Sequence, residues 1–361
     1  MAEYCDADEL SALRTKLLWR EPAAGAERFL SVFMDQNNKC NLRCQMCGFS
    51  DPRAALLRKY DLPRWAFERI AAELFPRATY LCLSLMTEPF MTRDFPDRLA
   101  AVRRFAVPFS EVITNATLLT DDAIGKILDA QLSRVIVSID GGTKEVFERV
   151  RIGADFETVI GNFVALRTRR DERATRLPRL RINHVLSELN VDHFEAFLAL
   201  TERLGADELA VRTVSRMSNA VIQENTEPAF WTKVRAARMK LAAFCRRTGI
   251  DDSAFLRDRH APIELFTDSG HTLTCRVPWT TIAVHPNGDV YPCMAWSRPP
   301  IGNIARQTFQ EIWSGAELDR LRSEFEQRRP SIDCLHCAVR RSAETDRNDD
   351  FFYRKLAAAP L

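Results

Sequence analysis

No stretch of this 361-residue chain reaches the roughly 18 to 20 charge-poor apolar residues that spanning a bilayer requires. The segment 1–22 lacks the continuous apolar core of a secretory signal. Membrane and exported proteins are therefore not expected, and the chain is read as cytoplasmic. An excess of charge of one sign is missing too. Lys and Arg (51) against Asp and Glu (49) leave a net +2, without the dominant basic footprint of a nucleic-acid binder. The sequence shows no internal repeat, no low-complexity tract and no Gly-rich phosphate loop, and its six histidines have no paired metal-ligand spacing. Small metabolites or a modest protein partner remain. With 46% hydrophobic and 28% charged residues the composition is that of an ordinary globular protein. At about 150 residues per domain the length fits one large domain and a smaller one.

Apolar strands alternate with amphipathic helices from 29 to 213. The expected strands are 29–34, 80–86, 111–114, 134–139, 180–186 and 208–212, and the helices between them are 62–74, 95–105, 121–128, 155–167 and 191–204. Such alternation predicts an α/β fold with a parallel sheet. A helix at 230–246 leads out of this pattern. Beyond it, two short β runs flank Pro286-Asn287-Gly288-Asp289, and Asn-Gly between apolar runs predicts a hairpin. A helix at 308–326 follows. The expected divisions are an N-terminal extension 1–28, a β/α domain 29–247, a small domain 248–345 and a tail 346–361. The arginines 167, 169, 170, 173, 176, 179 and 181 are read as a solvated connection, with docking of an acidic partner as the lesser reading.

What the chain does have is ten cysteines. In a reducing compartment grouped cysteines point to metal ligation or catalysis rather than disulfides. Cys40, Cys44 and Cys47 form Cys-x3-Cys-x2-Cys just after the first strand. Three thiolates in eight residues hold three irons of a cubane and leave the fourth iron without a protein ligand. Structural zinc wants four ligands, and the nearest candidate, His184, is far off in sequence. Cys275, Cys293, Cys334 and Cys337 make a second set spaced x17, x40, x2. Four thiolates saturate a site, and the spacing alone is compatible with zinc or with a [4Fe-4S] cluster. His336 is an alternative ligand there. Cys82 is read as a small core residue, and Cys5 and Cys245 are isolated.

Cys-x3-Cys-x2-Cys at the end of the first strand of a β/α array resembles the radical SAM superfamily. The resemblance covers 29–213. It implies a partial (β/α)6 TIM-like barrel with its site at the C-terminal ends of the strands. It further implies that a [4Fe-4S] cluster binds S-adenosyl-L-methionine (SAM) through its open iron and cleaves it to a 5′-deoxyadenosyl radical. Met86-Thr87-Glu88-Pro89 stands where the family usually has Gly-Gly-Glu-Pro, whose backbone is expected to bond the methionine amino group. Thr114-Asn115-Ala116-Thr117-Leu118 is similar to Thr-Asn-Gly-x-Leu, with Ala116 in place of glycine. Ser138, Asp140 and Arg151 resemble the ribose and carboxylate contacts, and Met46 stands where an aromatic packs near the adenine. The bland readings are that Asn115 caps a turn and Arg151 is a surface cation. Beside such a core the second cysteine set resembles the twitch domain, a shortened relative of SPASM. That implies a hairpin-plus-helix iron–sulfur domain with an auxiliary [4Fe-4S] cluster; a full SPASM domain needs further cysteines after Cys337, and none follow.

The expected activity is hydrogen abstraction from a substrate, with the auxiliary cluster as electron acceptor in a net oxidation. No catalytic acid or base is assigned. Twitch-bearing relatives oxidise sugars and aminocyclitols or modify ribosomally made peptides, by epimerisation or cross-linking. Only 28 residues precede Phe29, too few for a leader-binding domain of about 80 residues, and this tilts the expectation to a small-molecule substrate. A flavodoxin or ferredoxin is the expected electron donor. The rival outside enzymes is a zinc-binding interaction module, which leaves the first cysteine set unexplained.

Overall fold

The computed structural model describes residues 28–214, 227–250, 277–294, 296, 298–327 and 334. Cys5, Cys275, His336, Cys337 and most of the expected boundary at 248–268 lie outside these residues. Six strands appear where the sequence predicts them: β1 (Leu30–Met34), β2 (Ala78–Cys82), β3 (Phe109–Thr114), β4 (Arg134–Ser138), β5 (Arg179–Leu186) and β6 (Glu208–Thr213). They pair in chain order, each with the next, and every pair is parallel.

Alternation along the strands sorts side chains onto two faces. Val32, Leu81, Val112, Val135, Val137, Ile182, Leu209 and Val211 are buried on the face that the crossover helices cover. Those helices include α1 (Arg64–Leu74), α2 (Asp121–Ala130), α3 (Phe156–Glu172) and α4 (Phe194–Leu204). The other face is polar at its N-terminal end. Arg134 of β4 donates to Glu111 of β3 and, across β5, pairs with Glu208 of β6 at 2.8 Å. An arginine that spans an intervening strand to reach a carboxylate shows the sheet curling inward on this face. The result is the partial barrel expected, with Tyr80, Glu111, Arg134, Arg181 and Glu208 in its interior.

β2 is shorter than its apolar run. The hydroxyl of Ser84 donates to the Ile113 carbonyl and accepts from the Ile113 amide, so a side chain replaces the ladder there. Residues 85–87 then turn toward Asp35. The arginine run is a solvated connection at Arg173, Arg176 and Arg179, which are exposed, but not at Arg170 and Arg181, which are buried. Arg170, on α3, is buried and paired with Asp207, Arg179 with Glu208, and Arg173 with Asp129.

After α5 (Pro228–Thr248), the hairpin forms as Asn-Gly predicts. β7 (Thr281–Val284) and β8 (Asp289–Tyr291) are antiparallel, and Gly288 takes φ +77°, a conformation that favours glycine. β9 (Gly302–Asn303) pairs with β8. β7 also pairs in parallel with β1, from Ser31 opposite Thr281 to Met34 opposite Val284. The small C-terminal unit thus extends the barrel sheet to nine strands. The helix expected at 308–326 is two, α6 (Phe309–Trp313) and α7 (Ala316–Glu326). Between them, Gly315 sits where an added Cβ would lie 3.1 Å from the Glu311 and Ile312 carbonyl oxygens. Among the described residues no helix is long and apolar enough to cross a membrane.

Candidate active site

The loop after β1 carries the first cysteine set and is pinned at several points. Cys47 N–H donates to Cys44 O at 2.9 Å, making a tight turn between two of the cysteines. The amides of Arg43 and Gln45 donate to the carbonyls of Ile152 and Val150, both at 2.9 Å. The loop therefore lies along the segment that ends in Arg151. Cys44 is buried and Cys40 and Cys47 are half-buried. Burial pushes the Cys40 thiol up to about 12 and the Cys44 thiol to about 11, and it raises Cys47 as well. Without a metal these sulfurs hold their protons. Ligation must displace those protons, and a cationic centre supplies the compensating charge.

Arg151 is buried, not a surface cation. One Nη is 3.8 Å from Cys44 Sγ. The other is 2.7 Å from Asp140 Oδ2, an ion pair aligned short of a hydrogen bond. Arg151 Nε is buried and without a partner among the described residues. Asp140 also accepts from the Val185 amide at 2.6 Å. Its loop presses on α4, where a Cβ on Gly142 would fall 2.2 Å from the Phe197 backbone nitrogen; only glycine fits. Removing one member of a buried pair costs about 3–5 kcal/mol because the other stays charged and unpaired. Arg151→Met should accordingly lower stability by about that much, and Arg151→Met with Asp140→Asn should recover a large part of it. Chemical denaturation of the two proteins checks this; equal stabilities would show that the pair is not coupled.

The segment Met86-Thr87-Glu88 is organised by a residue that sequence reasoning missed. Asp35 Oδ1 accepts from the amides of Leu85 (2.8 Å), Met86 (3.0 Å) and Thr87 (3.3 Å) and from the Thr87 hydroxyl (3.1 Å). With the amides so committed, backbone carbonyls are the groups left to meet an ammonium. Glu88 is a brace between loops. Its carboxylate accepts from Thr114 Oγ1 and Asn115 N, both at 2.8 Å, and burial pushes its carboxyl up to about 7. Asn115 joins the third loop to the first: Nδ2 donates to Asn41 Oδ1 at 2.9 Å and lies 3.9 Å from Cys40 Sγ. Its Oδ1 also accepts from Thr117 N at 3.0 Å, so it does shape a turn. Ala116 takes φ +61° while fully buried, which accounts for glycine at that place in the similar motif.

Ser138 closes β4, opposite Asn183 of β5. Asn183 Oδ1 is buried without a partner among the described residues, and Asn183 shares the barrel's inner face with Ser138. It too went unnoticed in the sequence; its only signal is its register with Ser138. Met46 is buried in the main core, and Met86 packs with Phe49 beside Cys40 and Cys47. His184 is no ligand to this loop: its ring stacks on Phe197 at 3.9 Å, on the helix-covered face, and Nδ1 bonds Ile139 O at 2.9 Å. In the second set, Cys293 follows β8 and is half-buried, as is Cys334.

A cysteine loop beside Arg151, whose Nε is orphaned among the described residues, suits an iron–sulfur cluster with a polar ligand next to it. Among the described residues no three His, Cys, Asp or Glu side chains are placed to hold one metal ion; thiolates that each take a different iron need not converge on a point. Residues 37–199 match the Radical SAM superfamily and residues 275–338 match the SPASM iron-sulfur cluster-binding domain. The chain carries a radical SAM domain followed by a SPASM-type iron–sulfur domain. It is a radical SAM enzyme; the two domains carry [4Fe-4S] clusters, and the first binds SAM. The second match runs across all four cysteines of the later set.

Mycofactocin maturase MftC of Mycolicibacterium smegmatis is 27% identical over 307 residues, 82% of this radical SAM chain and 73% of that protein. PqqA peptide cyclase of Rhodopseudomonas palustris is 25% identical over 325 residues, 86% of the chain and 80% of the relative. Streptococcus suis SuiB bound to S-adenosylmethionine shares the fold, with a TM-score of 0.64 at 16% identity over 92% of this chain and 77% of that one.

Proposed function

We propose that this radical SAM enzyme modifies a ribosomally made peptide, by cross-linking or epimerisation. The observation that carries the reading is the likeness to PqqA peptide cyclase across 86% of the chain, a span that takes in both the barrel and the cysteine-bearing C-terminal unit. A shared fold with SuiB, a protein crystallised with its precursor peptide SuiA, is in keeping with it. The small-molecule expectation rested on the length of the segment before Phe29. That length bears on where a leader would be recognised, not on what is modified.

In this reading Cys40, Cys44 and Cys47 hold the catalytic cluster and Cys275, Cys293, Cys334 and Cys337 the auxiliary one. When bound, the catalytic cluster supplies the electron that splits SAM and yields the 5′-deoxyadenosyl radical. Arg151 takes the methionine carboxylate through its unpartnered Nε, a charge-assisted contact about twice as strong as a neutral one. Carbonyls of the Met86-Thr87 segment, whose amides Asp35 holds, accept from the amino group. Ser138 and Asn183 take the ribose hydroxyls, Asp140 fixes Arg151, and Met46 and Met86 supply soft apolar contact near the adenine. Glu88 and Asn115 keep the second and third loops in register with the cysteine loop. A flavodoxin or ferredoxin is the electron donor. The test is anaerobic incubation of the reduced enzyme with SAM and peptides encoded near its gene, read by mass spectrometry. Peptide-dependent 5′-deoxyadenosine with a mass change or a D-residue in the peptide is expected. Unmodified peptides beside an oxidised sugar or aminocyclitol would restore the small-molecule reading.

A further inference from the structure

Deep in the barrel interior the Arg181 guanidinium has no hydrogen-bonded or ion-paired counterpart among the described residues. Arg181 lies on β5, between Ile136 of β4 and Glu208 of β6 in register, two residues below Asn183 on the same inner face. That is about 7 Å toward the N-terminal end, at roughly 3.3 Å per residue. Its side chain makes no hydrogen bond or ion pair with any described residue. The residue is only 6% exposed, and Nε is fully buried and unpartnered. A guanidinium has five donors, and an unpaired buried charge is costly.

The two carboxylates nearby are already engaged. Glu111 accepts from Arg134 and from the Tyr80 hydroxyl, and Glu208 accepts from Arg134 and Arg179. Both attract Arg181 through space, but among the described residues neither forms a hydrogen bond or ion pair with it. Burial, with the repulsion of Arg134 and Arg212, lowers the Arg181 pKa to about 10, so the side chain still carries its charge at neutral pH. An unpaired arginine on the inner face that also carries Asn183 and Ser138 is a ready anchor for a planar anion, which a guanidinium grips through two parallel N–H bonds.

We propose that Arg181 anchors a carboxylate of the substrate inside the barrel, below the SAM-binding rim. The proposal rests on the peptide reading for the nature of the substrate, and a peptide offers that group either at its C-terminus or on an Asp or Glu side chain.

Simple probes test it on the full-length, cluster-loaded protein with SAM present. N-acetylalanine carries only a terminal carboxylate, N-acetylglutamic acid with its main-chain carboxyl amidated carries only a side-chain one, and N-acetylalaninamide carries neither. At millimolar concentration one of the two carboxylates is expected to raise the melting temperature by about 2 °C or more, and the amide to leave it unchanged. The responsive probe identifies the source. In Arg181→Met the rise should vanish, while the uncomplexed variant melts at or above the wild-type temperature because an unpaired buried charge has been removed. A variant that melts well below wild type would make Arg181 structural and overturn the proposal. So would an unchanged response in the variant, or no response in wild type. Arg181-dependent binding with no peptide ever modified would leave the anchor standing and remove the peptide reading instead.

Discussion

Cys44→Ala is expected to abolish SAM cleavage and to leave about half of the iron, one of two four-iron clusters. Cys44 is the middle ligand of its set, buried against Arg151, and no spare thiol stands ready to replace it among the described residues. Cys82 is buried inside β2 with its thiol on the Ser84 carbonyl, and Cys245 sits on α5 beyond the barrel strands. A site stripped to two thiolates loses its cluster, and with it the only route for an electron into the sulfonium. The second cluster keeps its own four cysteines. Iron content and 5′-deoxyadenosine, measured on one preparation, decide the matter; undiminished cleavage by the variant would refute the ligand assignment.

The reverse pattern is expected when the second set is broken. In the proposed assignment Cys275, Cys293, Cys334 and Cys337 saturate a cluster, which would leave no iron there open to SAM. The service we propose for it is to take an electron from a substrate radical formed elsewhere. Cys334→Ala with Cys337→Ala should therefore retain uncoupled 5′-deoxyadenosine formation and lose oxidised or cross-linked product almost completely. Metal ligation contributes much of a small unit's folding energy, so circular dichroism and melting of the double variant accompany the assay. Full product yield from a folded double variant would make the second cluster structural and turn the chemistry toward a redox-neutral outcome such as epimerisation.

Most of the barrel was legible in the sequence because period-two apolar patterning and crossover lengths are local signals. β2 was overrun because Leu83 and Leu85 continue its apolar pattern, while the two events that end it, the Ser84 hydroxyl entering the ladder and Asp35 gathering three amides, depend on a neighbouring strand. The cysteines announced themselves by spacing. Arg151 and Asp140 were found through local motif likeness, but their mutual pairing was not, since eleven positions separate them and the contact exists only once the loop after β4 has folded back. Asn183 and Arg181 carry no local signal at all. They are ordinary polar residues on an alternating strand, and Arg181 was lost in a basic run of which Arg169, Arg170, Arg173 and Arg179 are ion-paired.

The pairing of β7 with β1 has a mechanical consequence. β1 leads directly into the Cys40–Cys47 loop, and β7 leads through a hairpin to Cys293. Four residues on each strand are laced together by a parallel ladder, so the two cysteine-bearing segments are fastened to adjacent staves of one wall. Swinging one away from the other would require tearing that ladder, whereas a tether of loose chain would let them drift. The roots of the two segments therefore keep the spacing of neighbouring strands, about 4.8 Å, and any relative motion of the cysteines is confined to the loops beyond that ladder.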